Sequence, residues 1–137
     1  MNRVSFLIAC MLILLSSAAQ AKLEVVATTP DFGSIAAEIG GRSASVTTLA
    51  KPTEDPHFVD AKPSFIVKLN RADAVVEGGA ELEVGWLSAL LDQSRNARLA
   101  SGAPGRISGA QGVSLLQIPA TLDRSRGDIH AVIVGER

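Results

Sequence analysis

The sequence predicts an α/β fold, a parallel sheet with flanking helices. Two observations carry that prediction. Short β-branched runs alternate along the chain with stretches whose apolar residues recur at helical spacing. Pro, Gly and Asp mark most of the changes between them. Strands that alternate with helices pair in parallel through crossover helices. With 137 residues and no internal repeat, the chain holds one domain at most.

From the N-terminus, residues 1–21 read as a secretory signal peptide. Arg3 supplies the positive start, residues 4–15 are apolar apart from Ser5, and Ala19-Gln20-Ala21 is a small-x-small cleavage site. A membrane span needs roughly 20 apolar residues, so this run is too short to be read as a retained anchor. Leu7-Ile8-Ala9-Cys10 nominally fits a lipoprotein cleavage box. The apolar run continues past it and the better site comes later, so cleavage is placed after Ala21.

The domain is then residues 22–137. It has no cysteine, hence no disulfide and no thiolate ligand. Any metal must be held by histidine and carboxylate. Removing the signal takes away Arg3 and no acid, so the formal charge moves from −1 to −2. No basic field for nucleic acid is present, and no lysine-rich amphipathic face for a membrane surface.

Leu23-Glu24-Val25-Val26-Ala27-Thr28-Thr29 is the first strand, ended by Pro30-Asp31. Asp31 is the expected N-cap of a helix whose face carries Phe32, Ile35, Ala36 and Ile39, and Gly40-Gly41 stops it. Ser45-Val46-Thr47-Thr48-Leu49 is the second strand. A loop containing Lys51-Pro52-Thr53-Glu54-Asp55-Pro56-His57 comes next. Pro63-Ser64 opens a second helix with Phe65, Ile66 and Leu69 on one face.

Ala74-Val75-Val76 is a brief strand stopped by Gly78-Gly79. A third helix is expected from Glu83 to about Leu91, with Val84, Leu87 and Leu91 on one stripe and Trp86 in its core. Glu81 and Glu83 are placed at that helix's N-terminus. The Gly/Pro/Ser-rich interval 99–108 reads as a loop, and residues 113–118 as a strand.

In such sheets ligands bind beyond the carboxyl ends of the strands. The chain's two histidines, His57 and His130, both fall at strand-to-loop positions that could face that edge. Taken singly, each reads more readily as a surface residue or a local cap than as a ligand. A hydrolytic reading pairs His57 with Asp55 or Asp60 as a general base. It is weak, because Ser43, Ser45 and Ser64 stand in no nucleophile-elbow pattern. The glycine pairs lack phosphate-binding spacing.

Several segments together resemble the solute-binding proteins of zinc and manganese ABC transporters (the cluster A-I, ZnuA/TroA-like family). They are Val25-Val26-Ala27-Thr28-Thr29-Pro30-Asp31-Phe32, then Asp55-Pro56-His57-Phe58 with Pro63-Ser64. After these come Ala72-Asp73, Glu77-Gly78-Gly79, Leu82-Glu83 and Trp86-Leu87. Gly127-Asp128-Ile129-His130-Ala131 completes the set.

The resemblance implies the N-terminal lobe of a two-lobed periplasmic receptor. His57 and His130 become its first two metal ligands, with Asp55 or Asp60 supporting them. The ligand carried is zinc first and manganese second, and imidazole-rich sites favour zinc. Affinity is expected to fall in acid as imidazole protonates. The partner would be the membrane permease of an ABC importer, the receptor a monomer, and no chemistry would be performed.

The chain departs from the family after Ala131. The linking helix and second lobe, with the third and fourth ligands, are replaced by Val132-Ile133-Val134-Gly135-Glu136-Arg137. The expectation is therefore a truncated receptor with impaired transport. Its alternatives are an inert or adhesive single-lobe fragment, with exposed apolar surface, and the small secreted hydrolase.

Overall fold

The computed structural model of the chain describes residues 21–116 and 132–133. The signal segment up to Gln20 lies outside them. So do His130 with its flanking residues, the end of the strand expected at 113–118, and most of the tail.

Four parallel strands form the main sheet: β1 Leu23–Ala27, β2 Ala44–Thr48, β3 Ala74–Glu77 and β4 Arg106–Ser108, in the order β2-β1-β3-β4. Three helices connect or follow them: α1 Pro30–Gly40, α2 Pro63–Arg71 and α3 Leu87–Ser94. Two further strands, β5 Leu115–Leu116 and β6 Val132–Ile133, pair antiparallel, with Leu115 opposite Ile133. The α/β expectation and its parallel sheet hold.

The register of β1 explains the core. Val26 lies opposite Val75 of β3, and both belong to one cluster with Phe65 and Leu69 of α2 and Leu87, Leu90 and Leu91 of α3. The expected stripe of α2 is therefore the packed one. Side chains alternate across a strand, so Ala27 faces the other side. There α1 lies over β1 and β2, and Gly33 is its one buried residue.

On this side the packing differs from the face expected for α1. Phe32 and Ala36 are partly covered, but Ile35 and Ile39 are exposed, Ile39 at 82%. A Cβ on Gly33 would overlap Thr48 Oγ1 of β2. Gly33 is the residue set against the sheet, and Ile35 and Ile39 lie on the exposed side. Asp31 is not the cap either. The cap position is Thr29 in extended backbone, Pro30 opens the helix, and Asp31 stands in its first turn. Proline's fixed φ and missing N–H suit it to that position.

The third helix starts later than its periodicity suggested, at Leu87 instead of Glu83. Ala80 and Glu81 take φ of 49° and 72°, which no right-handed helix contains. Residues 80–86 form turns, and Val84 is exposed. The interval read as a loop holds β4, whose Val75–Arg106 and Val76–Ile107 pairings set its register. Arg106 clamps this edge by donating to both carboxylate oxygens of Glu77, at 2.8 and 3.0 Å. That bond raises the arginine's pKa further.

Asn96, just past α3, reaches back to the end of α2. Its amide donates to the Leu69 and Ala72 carbonyls at 2.9 and 2.7 Å, covering acceptors at the helix end. Asn96→Ala should lower the free energy of unfolding by about 1–2 kcal/mol. Urea denaturation measures this, and an unchanged midpoint would refute the role.

Candidate functional site

The carboxyl edge of the sheet gathers the loops that matter. Strand order reverses between β1 and β3, since α1 leads outward to β2 and α2 returns past β1 to β3. Ligand sites of open α/β sheets lie at such a switch point. Thr28 and Thr29 leave β1 there. Leu49 and Ala50 leave β2 beside them, donating to the Ala27 and Thr28 carbonyls at 2.9 Å each. Gly78 and Gly79 leave β3.

The loop 49–62 carries His57. Its first part is closed by Lys51 and Glu54. The Lys51 amide donates to the Glu54 carboxylate at 2.8 Å, which holds that carboxyl below its ordinary range. Val59 is buried in the core and tethers the far side.

Asp55 organises the centre of the loop. Its Oδ1 accepts the His57 backbone N–H at 2.9 Å and lies 2.8 Å from His57 Nδ1. The backbone bond is the main reason that Asp55 is shifted to lower pKa, with the ring contact second. A carboxylate on one ring nitrogen is the usual partner of histidines that ligate metal through the other. The His57 side chain is 23% exposed.

Of the two carboxylates expected to support His57, the structure brings only Asp55 to the ring by a hydrogen bond it records. His130, the second expected ligand, lies outside the described residues. Among the described residues no group of three or more His, Cys, Asp and Glu side chains could hold a metal.

Two residues carry more than the sequence reading gave them. Glu83 is 3% exposed and sits at no helix start. It accepts from Thr28 Oγ1 at 2.6 Å, from the Gly78 amide at 2.7 Å and from the Gly79 amide at 3.2 Å. The buried carboxylate thus staples the end of β1 to the end of β3. Gly79 has a φ of 72°, and a Cβ there would overlap Ser108 Oγ. Trp86 is core, as expected, but its indole N–H also donates to the Pro56 carbonyl at 2.8 Å. The one available signal was the acid inside Leu82-Glu83-Val84-Gly85-Trp86, an apolar setting beside two glycines.

A cleft of about 480 Å³ opens on the same edge, between the start of α1 and the histidine loop. Thr29, Phe32, Pro52, Pro56 and Leu82 line it. His57 is not among its walls.

Comparison with known proteins gives the family to which the chain is similar. The family described as the periplasmic component A of the zinc-uptake complex, ZnuA, matches residues 25–130. The manganese-binding lipoprotein MntA of Bacillus subtilis is 36% identical over 90 residues, 63% of this chain and 29% of that protein. The manganese ABC transporter substrate-binding lipoprotein PsaA of Streptococcus mitis is 25% identical over 131 residues, 93% of this chain and 41% of that one. A crystal structure of a ZnuA deletion mutant with zinc bound is 28% identical, with a TM-score of 0.60 over 72% of this chain and 35% of that one. The chain therefore spans well under half the length of these relatives.

Proposed function

This chain belongs to the family of the periplasmic zinc-uptake component ZnuA, and on that premise we propose that it is the exported metal-carrying part of an ABC importer. It takes zinc first and manganese second, and passes the ion to a membrane permease without chemical change. His57 and His130 are its ligands within this chain. The signal segment 1–21 directs it out of the cytoplasm.

One observation carries the reading. The Asp55–His57 pair stands at the carboxyl edge of a parallel sheet, with Nδ1 held at 2.8 Å. The family match runs from residue 25 to residue 130 and so includes both histidines. A family of metal-carrying binding proteins also gives no support to the hydrolytic reading.

The test is a titration of the full chain with zinc chloride and, separately, manganese chloride, by competition against a chromophoric chelator. One ion should bind per chain, with zinc tighter. Asp55→Ala should weaken zinc binding about tenfold to a hundredfold, the usual cost of removing a ligand's supporting carboxylate. An affinity unchanged in that variant would reject the role given to Asp55. The exposed side chains of Ile35, Ile39, Phe58 and Val67 favour the adhesive-fragment alternative. Non-saturable zinc uptake with self-association would support it and sink the proposal.

A further inference from the structure

The loop that presents His57 has neither helix nor strand in it between β2 and α2. A metal ligand must nonetheless be held within about half an ångström of its working position. The peptide unit that joins Pro56 to His57 shows how this is done. Its N–H is taken by Asp55 Oδ1 at 2.9 Å, from inside the loop. Its C=O is taken by Trp86 Nε1 at 2.8 Å, from 30 positions along the chain. A peptide is planar and rigid. Bound at both polar ends, it fixes the His57 Cα and the direction in which the imidazole leaves it.

The indole is itself well anchored. Trp86 is 4% exposed and belongs to the same core cluster as Leu87, Leu90 and Phe65. Its backbone N–H donates to the Glu83 carbonyl at 3.1 Å. Glu83 is stapled in turn to Thr28, Gly78 and Gly79. A continuous line of hydrogen bonds thus runs from the switch point of the sheet, through Glu83 and Trp86, to the peptide before His57.

We infer that Trp86 is a positioning residue for metal capture, acting through the Pro56 carbonyl to set where His57 stands. The inference rests on the reading of His57 as a metal ligand. Core packing alone asks only for an apolar ring at residue 86, whereas positioning asks for its N–H.

Trp86→Phe separates the two roles, because it keeps a buried ring and removes the donor. Zinc affinity of the full chain, measured by chelator competition, should fall about fivefold to tenfold, the worth of one hydrogen bond. The measurement is made at a temperature where circular dichroism shows variant and parent equally folded. A merely structural residue would lower the unfolding midpoint and leave the affinity alone, and that result overturns the inference. His57→Ala is run beside it. If that variant binds zinc as the parent does, the ligand reading fails and the inference with it. If His57→Ala loses zinc and Trp86→Phe does not, only the inference fails.

Should Trp86→Phe not fold, the parent chain decides. It contains a single tryptophan, so proton NMR shows one indole N–H resonance. That resonance should move when zinc chloride is added to the parent and stay fixed in His57→Ala. A resonance unmoved by zinc in a parent that binds through His57 overturns the inference.

Discussion

His57→Ala is expected to reduce zinc affinity about a hundredfold, and His130→Ala similarly. Four-ligand zinc sites in small proteins hold their ion by roughly 10–16 kcal/mol. An equal share per ligand is about 3 kcal/mol, or two factors of ten. The fold should survive His57→Ala, because the imidazole belongs to no core cluster and Val59 still tethers the loop. Competition titration reads the affinity and far-ultraviolet circular dichroism reads the fold. Retained affinity in both variants would remove the basis for the metal site.

Acid should act in the same direction on two levels. On the proposed reading metal affinity should fall with pH, because a protonated imidazole cannot ligate. Asp55 has a folded-state pKa held below the ordinary value by the His57 N–H. The stability this contributes is fully present above the ordinary carboxylate range and is lost as pH falls through the depressed value. Asp55 therefore keeps its charge, and its hold on the loop, to lower pH than an ordinary aspartate would.

The largest stability effect is expected at Glu83. Glu83→Ala leaves the Thr28 hydroxyl and the Gly78 and Gly79 amides without their acceptor. The Thr28 hydroxyl is buried and the two amides are half-buried, and an unsatisfied buried donor costs about 1–3 kcal/mol, a half-buried one less. The variant should lose roughly 3–5 kcal/mol, a large part of the 5–15 kcal/mol that holds a typical domain. Glu83→Gln should lose less, since its amide oxygen can still accept from Thr28 and Gly78. Chemical denaturation of the metal-free chain orders the three proteins. A Glu83→Ala variant as stable as the parent would show that water replaces the staple at little cost.

Whether a residue's place was legible in the sequence depended on where its partners lie. The strands β1 to β3 and the packed face of α2 were readable, because local β-branched runs and the Phe65–Leu69 spacing specify them. The place of His57 at the sheet's carboxyl edge came from chain order. Its Asp55 partner was one of two candidates in the loop, and two residues of separation make the contact local. Glu83 was misplaced because Thr28 lies 55 positions away. The strand β4 was missed because its register comes from β3 and from the Arg106–Glu77 clamp, while its own sequence is rich in loop-forming residues. The outward turn of Ile35 and Ile39 was hidden for a related reason. Periodicity counts large apolar residues, and α1 is seated by a glycine.

The strand order has a consequence for how the chain acquires its structure. β1 is the first strand made, yet it sits inside the sheet, between β2 and β3. It pairs with β2 some twenty residues on and with β3 about fifty residues on. Such non-local pairing is slow, because loop closure precedes any gain from contact. One edge of β1 therefore waits for β2 and the other for β3, so the centre of the sheet is completed only when the third strand has arrived.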